Sequence, residues 1–211
     1  MNSRFKYPRT YHLPWSLGST SDDRFIKDIS VFKDMDIVVT IKMDGENFSG
    51  YCDGFHARSI DSKYHPSRNW IKTFWESRKW IIPEGIRICG ENLFAKHSIE
   101  YNELPSYFLG FSVWNKELCF SWEETLEWFE ILDITPVEVI YEGKFDEQIL
   151  KELADKIDQN TQEGYVIRNK NSFYYDDFAS NVAKFVRKNH IQTDEHWMNK
   201  KIVMNKLKST F

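Results

Sequence analysis

The chain has 211 residues, 41% of them hydrophobic and 16% aromatic, ample for a buried core in one large domain or two small ones. No run of 18 apolar residues occurs and the start, MNSRFKYPRTYH, lacks the apolar centre of a secretory signal, so a cytoplasmic protein with no membrane partner is expected. The net charge of −4 excludes indiscriminate coating of nucleic acid, and three scattered cysteines, Cys52, Cys89 and Cys119, point to buried free thiols rather than a disulfide framework or a zinc site.

In chain order, the first strong signal is the β-branched run Ile37, Val38, Val39, Thr40, Ile41, followed by Lys42, Met43, Asp44 and Gly45. Asp-Gly after such a run predicts a hairpin turn, and a second pair, Asp53-Gly54, predicts another, so the segment reads as a three-stranded meander. On that reading Lys42 and Asp44, two apart, leave the pleat on the same side toward one pocket. Trp70, Ile71, Phe74, Trp75 and Ile81 recur at helical spacing. IRICGENLF and YFLGFSVW read as strands, and SWEETLEWFEIL as a helix in which Ser121 and Glu124 form a capping box and Leu126, Phe129 and Ile131 or Leu132 supply the apolar face. Pro136 ends the connection that follows, VEVIY reads as a strand, Phe145, Ile149, Leu150, Leu153 and Ile157 as a helix, and GYVIRN as a strand. The last stretch predicts a basic helix opening at Thr193. No repeat or linker interrupts the pattern, so residues 1–211 read as a single α+β domain of largely antiparallel sheets flanked by helices.

Charge is uneven along this pattern. Residues 121–163 carry thirteen acids against three lysines, whereas residues 182–211 carry seven basic groups against two acids and residues 63–80 five against one. Lys63, Arg68, Lys72, Arg78, Lys79 and the C-terminal segment could form a patch that follows a phosphate backbone, or belong to a mixed solvated surface. His97, His190 and His196 lack metal-ligand spacing and receive no catalytic role.

Lys42-Met43-Asp44-Gly45 alone is a short match that chance can supply, but further pieces follow in order: Ala57-Arg58-Ser59, Gly90-Glu91, Phe111 within GFSV, Glu163-Gly164, and Lys184 to Lys188 within VAKFVRK. This ordered set resembles the covalent nucleotidyltransferase superfamily, and within it the ATP-dependent RNA ligases. The resemblance implies an ATP-grasp-like nucleotidyltransferase domain; with 23 residues after Lys188, no OB-fold or other second domain is expected. It implies Lys42 as the residue that takes the nucleotide, with Lys184 and Lys188 as catalytic cations; whether Arg187 or Lys188 fills the second basic role stays open. Nucleotide contacts are implied for Ile41, Lys42, Asp44, Gly45, Asn47, Arg58, Glu91, Phe111, Glu163, Lys184 and Lys188, with Phe111 stacking on the base and Asn47 at the sugar. Glu163 and Glu91 are the implied holders of Mg²⁺, or Mn²⁺, and ATP is the implied nucleotide.

The chemistry gives each residue type a reason. A lysine of pKa near 10.4 attacks a phosphate only as the free amine, so burial and the nearby cations Lys184, Lys188 and a metal are expected to lower the pKa of Lys42. Arg58 has the planar fork that grips a 5′-phosphate. The implied function is an RNA ligase that joins 5′-phosphate to 3′-hydroxyl ends through a lysyl-AMP intermediate. Alternatives are a compact DNA or mixed-nick ligase and a non-catalytic nucleic-acid-binding module. Oligomeric state is not legible.

Overall fold

The computed structural model describes residues 3–19, 22–188 and 201–209. Its elements in chain order are β1 (Tyr11–His12), β2 (Asp36–Lys42), β3 (Glu46–Tyr51), β4 (Gly54–Ala57), α1 (Asn69–Glu76), β5 (Ile86–Asn92), β6 (Phe108–Asn115), β7 (Leu118–Cys119), α2 (Trp122–Ile131), β8 (Thr135–Pro136), β9 (Val139–Lys144), α3 (Glu147–Asp155), β10 (Gly164–Asn169), β11 (Phe173–Tyr174), α4 (Phe178–Asn181) and β12 (Val182–Val186). They form two sheets, one ordered β1-β12-β10-β2-β9 and the other β11-β7-β6-β5-β3-β4 with β8 beside β6. Only the β1–β12 and β6–β8 pairings are parallel, in keeping with an α+β fold of largely antiparallel sheets. Among the described residues no helix is long and apolar enough to cross a membrane.

The β-branched run becomes β2, the strand between β10 and β9, buried on both faces. Ile37, Val39 and Ile41 join Tyr165, Ile167, Ala183 and Phe185 in a core closed by Leu150 of α3. Val38 faces the other way, toward Leu109 of β6 and Trp122 of α2. The second sheet packs Phe48, Ile88, Phe108 and Val113 against Ile71 and Trp75 of α1 and Phe129 of α2. The two sheets therefore face one another, with α3 outside the first and α1 and α2 outside the second.

Several expectations are met in detail and others are corrected. Ser121 caps α2 as a capping box: Glu124 N donates to its hydroxyl at 3.2 Å, and its own N–H donates to the Glu124 carboxylate at 2.9 Å. The buried face of that helix is Trp122, Thr125 and Phe129, with Leu132 just past it; Leu126 and Ile131 are exposed. α1 stops at Glu76, which leaves Ile81 in a separate 3-10 turn and exposed. Cys89 and Cys119 are buried free thiols and Cys52 is half-buried.

The predicted three-stranded meander does not form. β2 and β3 lie in different sheets, so Asp44-Gly45 is a crossover between sheets, while Asp53-Gly54 does close the β3–β4 hairpin. The predicted C-terminal helix is also corrected: its start at Thr193 lies outside the described residues, and residues 201–209 run extended. There Met204 bridges Ala95 and Leu207 bridges Leu104. Asn205 is fully buried; its Oδ1 accepts from Tyr101 N at 2.9 Å, its Nδ2 donates to the Leu93 carbonyl at 2.8 Å, and its carbonyl accepts from the Tyr107 hydroxyl at 3.0 Å. Eight backbone and side-chain groups of Val203, Asn205, Lys206 and Lys208 find hydrogen-bond partners in the loop at 93–107, so tertiary pairing overrides helical spacing.

Candidate active site

Between the sheets lies a cleft of about 750 Å³. One wall is the alternate residues of the first sheet, Thr40 and Lys42, Val166 and Arg168, Val182 and Lys184; the other includes Asn47, Glu91 and Phe111 of the second sheet. Period-two alternation thus turns half of each strand toward the cleft and half toward a core.

Lys42 ends β2, half-buried, with its ammonium ion-paired to the Glu163 carboxylate. Strand register makes the pair: Gly164 opposes Lys42, and Glu163 N donates to the Lys42 carbonyl at 3.2 Å. Position 164 has to be glycine, because a Cβ there would sit 2.0 Å from the Phe185 carbonyl on β12. At Gly45 a Cβ would come within 2.6 Å of the Asn92 carbonyl, so the crossover too depends on a bare backbone. The Gly45 N–H donates to Glu91 Oε1 at 3.2 Å, which brings Glu91 of β5 to the same place.

Asp44 departs from the expected direction. β2 ends at Lys42, and the buried Asp44 carboxylate turns into the loop at 98–101, where Oδ2 accepts from Ser98 N at 2.7 Å and Ile99 N at 2.8 Å. Its own N–H donates to the Tyr101 hydroxyl at 2.9 Å. Asp44 therefore acts on Lys42 through charge rather than from the cleft wall.

These carboxylates reverse the expected effect on Lys42. Burial disfavours the ammonium of Lys42, but Glu163, Glu91 and Asp44 outweigh it and raise its pKa. Glu91 shows the opposite side of that balance. Burial, with further repulsion from Glu163 and Asp44, pushes its carboxyl up to about 8 despite the pull of Lys42. Lys184, half-buried on β12, has its pKa lowered by burial and then by the charge of Lys42.

The remaining implied residues fall into place unequally. Phe111 is half-buried on the cleft wall, edge-on to Tyr7 with ring centroids 5.3 Å apart, and Val166 lines the wall of the other sheet. Asn47 lines the cleft and Ile41 borders it with its side chain turned into the first sheet's core, and Asn47 Oδ1 is buried without a hydrogen-bond partner among the described residues. Arg58, just past β4, is exposed at the rim. Lys188 is exposed beyond the end of β12 and does not line the cleft, so the strand alternation that would set it beside Lys184 lapses at Val186. Arg187 is tied to the Glu163 end of β10: its N–H donates to the Glu163 carbonyl and its Nε to the Gln162 carbonyl, both at 3.0 Å.

Within the basic stretch at 63–80, Arg68 is buried and holds both oxygens of Glu46, Nε donating to Oε2 at 2.7 Å. Arg78 pairs with Asp133 and Lys79 with Glu76. Lys63 and Lys72 remain on the surface, Lys63 at the cleft. Sequence reading missed the N-terminal contribution. Tyr7, Arg9 and Asp23 line the cleft, and no motif signalled it because their partners stand on distant strands.

The family model described as RNA ligase matches residues 35–186, which include Lys42, Glu91, Phe111, Glu163 and Lys184. The chain belongs to the RNA ligase family. Solved structures agree at the level of the fold. A Naegleria gruberi RNA ligase with PPi superposes with a TM-score of 0.54 at 13% identity, over 88% of this chain and 61% of that one. An archaeal ATP-dependent RNA ligase gives 0.54 at 17% identity, over 86% and 48%. An Aquifex aeolicus chain, provisionally named an ATP-dependent DNA ligase, gives 0.54 at 20% identity, over 87% and 50%. The chain thus spans about half to three-fifths of the length of these relatives. No curated protein matches it.

Proposed function

We propose that this domain is an ATP-dependent RNA ligase working through a covalent lysyl-AMP. The observation that carries the reading is Lys42 at the cleft wall, held by Glu163 with Glu91 and Lys184 close by, within the segment that matches the RNA ligase family. Lys42 Nζ, as the free amine, attacks the α-phosphate of ATP; the P–N bond forms as the bond to pyrophosphate breaks, and the proton lost by the nitrogen passes to the departing pyrophosphate. AMP then passes to the 5′-phosphate of a strand held at Arg58, and a 3′-hydroxyl displaces AMP to make the phosphodiester.

The residues present fit a divalent cation. Among the described residues no three His, Cys, Asp or Glu side chains converge on one metal position, so Glu163 and Glu91 would hold Mg²⁺ or Mn²⁺ together with waters and substrate phosphates, the manner usual for Mg²⁺. Burial, with repulsion from Glu163 and Asp44, pushes Glu91 up to about 8, and an added positive charge would favour its ionised form. When bound, the metal supplies positive charge to phosphate oxygens. With a cation held by Glu163 and Glu91, the anions that keep Lys42 protonated would be offset. Lys184 faces the same region as a fixed cation, the orphaned Asn47 Oδ1 is an acceptor suited to a ribose hydroxyl, and Phe111 opposite Val166 offers a slot for a base.

Incubation with α-labelled ATP and Mg²⁺ is expected to label the protein, and Lys42→Ala or chelation to abolish the label. A Lys42→Ala chain that still labels sinks the assignment. Sealing of nicked duplexes with ribose or deoxyribose on each side separates an RNA from a DNA or mixed ligase.

A further inference from the structure

The segment before β2 makes contacts that neither the ordered motifs nor the match over residues 35–186 includes. β1 pairs in parallel with β12 so that His12 stands directly opposite Lys184. The chain then doubles back: His12 N donates to the Arg24 carbonyl at 2.7 Å and Ile26 N to the His12 carbonyl at 2.8 Å. This returns Asp23 to the cleft, where its Oδ1 lies 3.2 Å from His12 Nε2 and 3.5 Å from Lys184 Nζ.

The imidazole is itself fixed. His12 is 1% exposed, and its Nδ1 lies 2.7 Å from Ser16 Oγ. That hydroxyl accepts from Val186 N at 2.9 Å, while its other contact, to the Val186 carbonyl, is a long 3.4 Å. Its single proton is therefore best given to Nδ1, which leaves the imidazole proton on Nε2, near Asp23 Oδ1 but outside hydrogen-bond geometry with it. Burial and the charge of Lys184 lower the pKa of His12, so the ring is neutral at pH 7 and adds no competing cation.

We propose that Asp23, backed by His12, is a positioning residue that aims the Lys184 ammonium across the cleft toward the phosphate attacked by Lys42. The inference rests on the lysyl-AMP reading above. Lys184 is faced by Lys42, which repels it, and by Glu163 and Asp23, which retain its charge, and Asp23 Oδ1 lies 3.5 Å from its Nζ. Because Glu163 is already paired with Lys42, Asp23 is the group on which the placing of Lys184 depends.

Single-turnover labelling with α-labelled ATP over a range of ATP concentrations tests this. Asp23→Asn should lower the maximal rate of adduct formation by about 10–100-fold, as expected for a displaced reacting group, with less than about threefold change in the ATP concentration for half-maximal rate. His12→Gln should do the same more weakly, and Asp23→Glu should lose less than Asp23→Asn. In a Lys184→Met background, followed by long incubations, Asp23→Asn should cost less than about twofold more, because its target is gone. Thermal melting of each variant separates these effects from loss of fold. An unchanged Asp23→Asn rate, a loss confined to ATP binding, or an undiminished loss in the Lys184→Met background overturns the inference while leaving the ligase reading intact. Failure of the unsubstituted chain to label overturns both.

Discussion

Lys42 shows how a residue's identity and its state can diverge. Lys42 was legible as a candidate nucleophile from Lys-x-Asp-Gly followed by its downstream partners, yet the expected lowering of its pKa is not met, because that expectation weighed burial and cations without the pull of neighbouring carboxylates. Three carboxylates around the amine outweigh burial. Glu91 makes that imbalance measurable. The folded protein holds its proton up to about 8, against an ordinary value of 4.5, so the fold loses stability as pH rises through that window and keeps it below. Glu91→Gln, which resembles the protonated carboxyl, should match the parent's melting temperature in acid without metal. It should exceed it by at least about 3 °C near pH 9. A difference that stays constant with pH would contradict the origin assigned to the shift. What the motif reading could not supply at this scale was Asp23 and His12: their significance lies in the β1–β12 register, and a two-residue strand leaves no periodicity to detect.

At the scale of elements, strand and helix types followed from local pattern, and their partners did not. The run at 37–41 is a strand because β-branched side chains suit the pleat, and α2 begins where its capping box is written. By contrast, Asp44-Gly45 fixes a reversal without saying whether the next strand joins the same sheet. That is settled by Phe48 packing with Trp75 and Phe108 in another core. At the crossover and at the Glu163 corner the backbones approach closely. Gly164→Ala should therefore lose about 1–3 kcal/mol from overpacking against β12. It should also slow adduct formation more than about tenfold by shifting Glu163 from Lys42, within the range known for small displacements at reacting groups. Denaturant unfolding and labelling read the two effects separately, and a neutral Gly164→Ala would refute the close approach.

For the whole molecule, the acidic segment forms α2, β9 and α3, of which the two helices cover the outer faces, while the cleft between the sheets keeps the cationic groups. Sequence charge alone could not apportion the basic residues, because it cannot show that Arg68 is spent on Glu46 whereas Lys63 stays at the rim. Their substitutions should separate accordingly. On a nicked duplex, Lys63→Ala should reduce the slope of log affinity against log salt by about one unit, the loss of one phosphate contact. Arg68→Ala should leave that slope alone and lower the melting temperature, since it strands the Glu46 carboxylate. Equal slopes for the parent and Lys63→Ala would remove Lys63 from the strand path.

The stretch at 201–209 reaches the site from the other side: Asn205 holds Tyr101 N, and the Tyr101 hydroxyl receives the N–H of Asp44. Neither sheet takes a strand from this stretch. A chain cut after residue 200 would keep its cleft and lose that brace. The missing piece is short enough to be returned as a synthetic peptide, so its concentration would become a dial on the setting of Asp44, and the cut chain a two-part assembly whose adduct formation, on the reading proposed above, reports the peptide's presence.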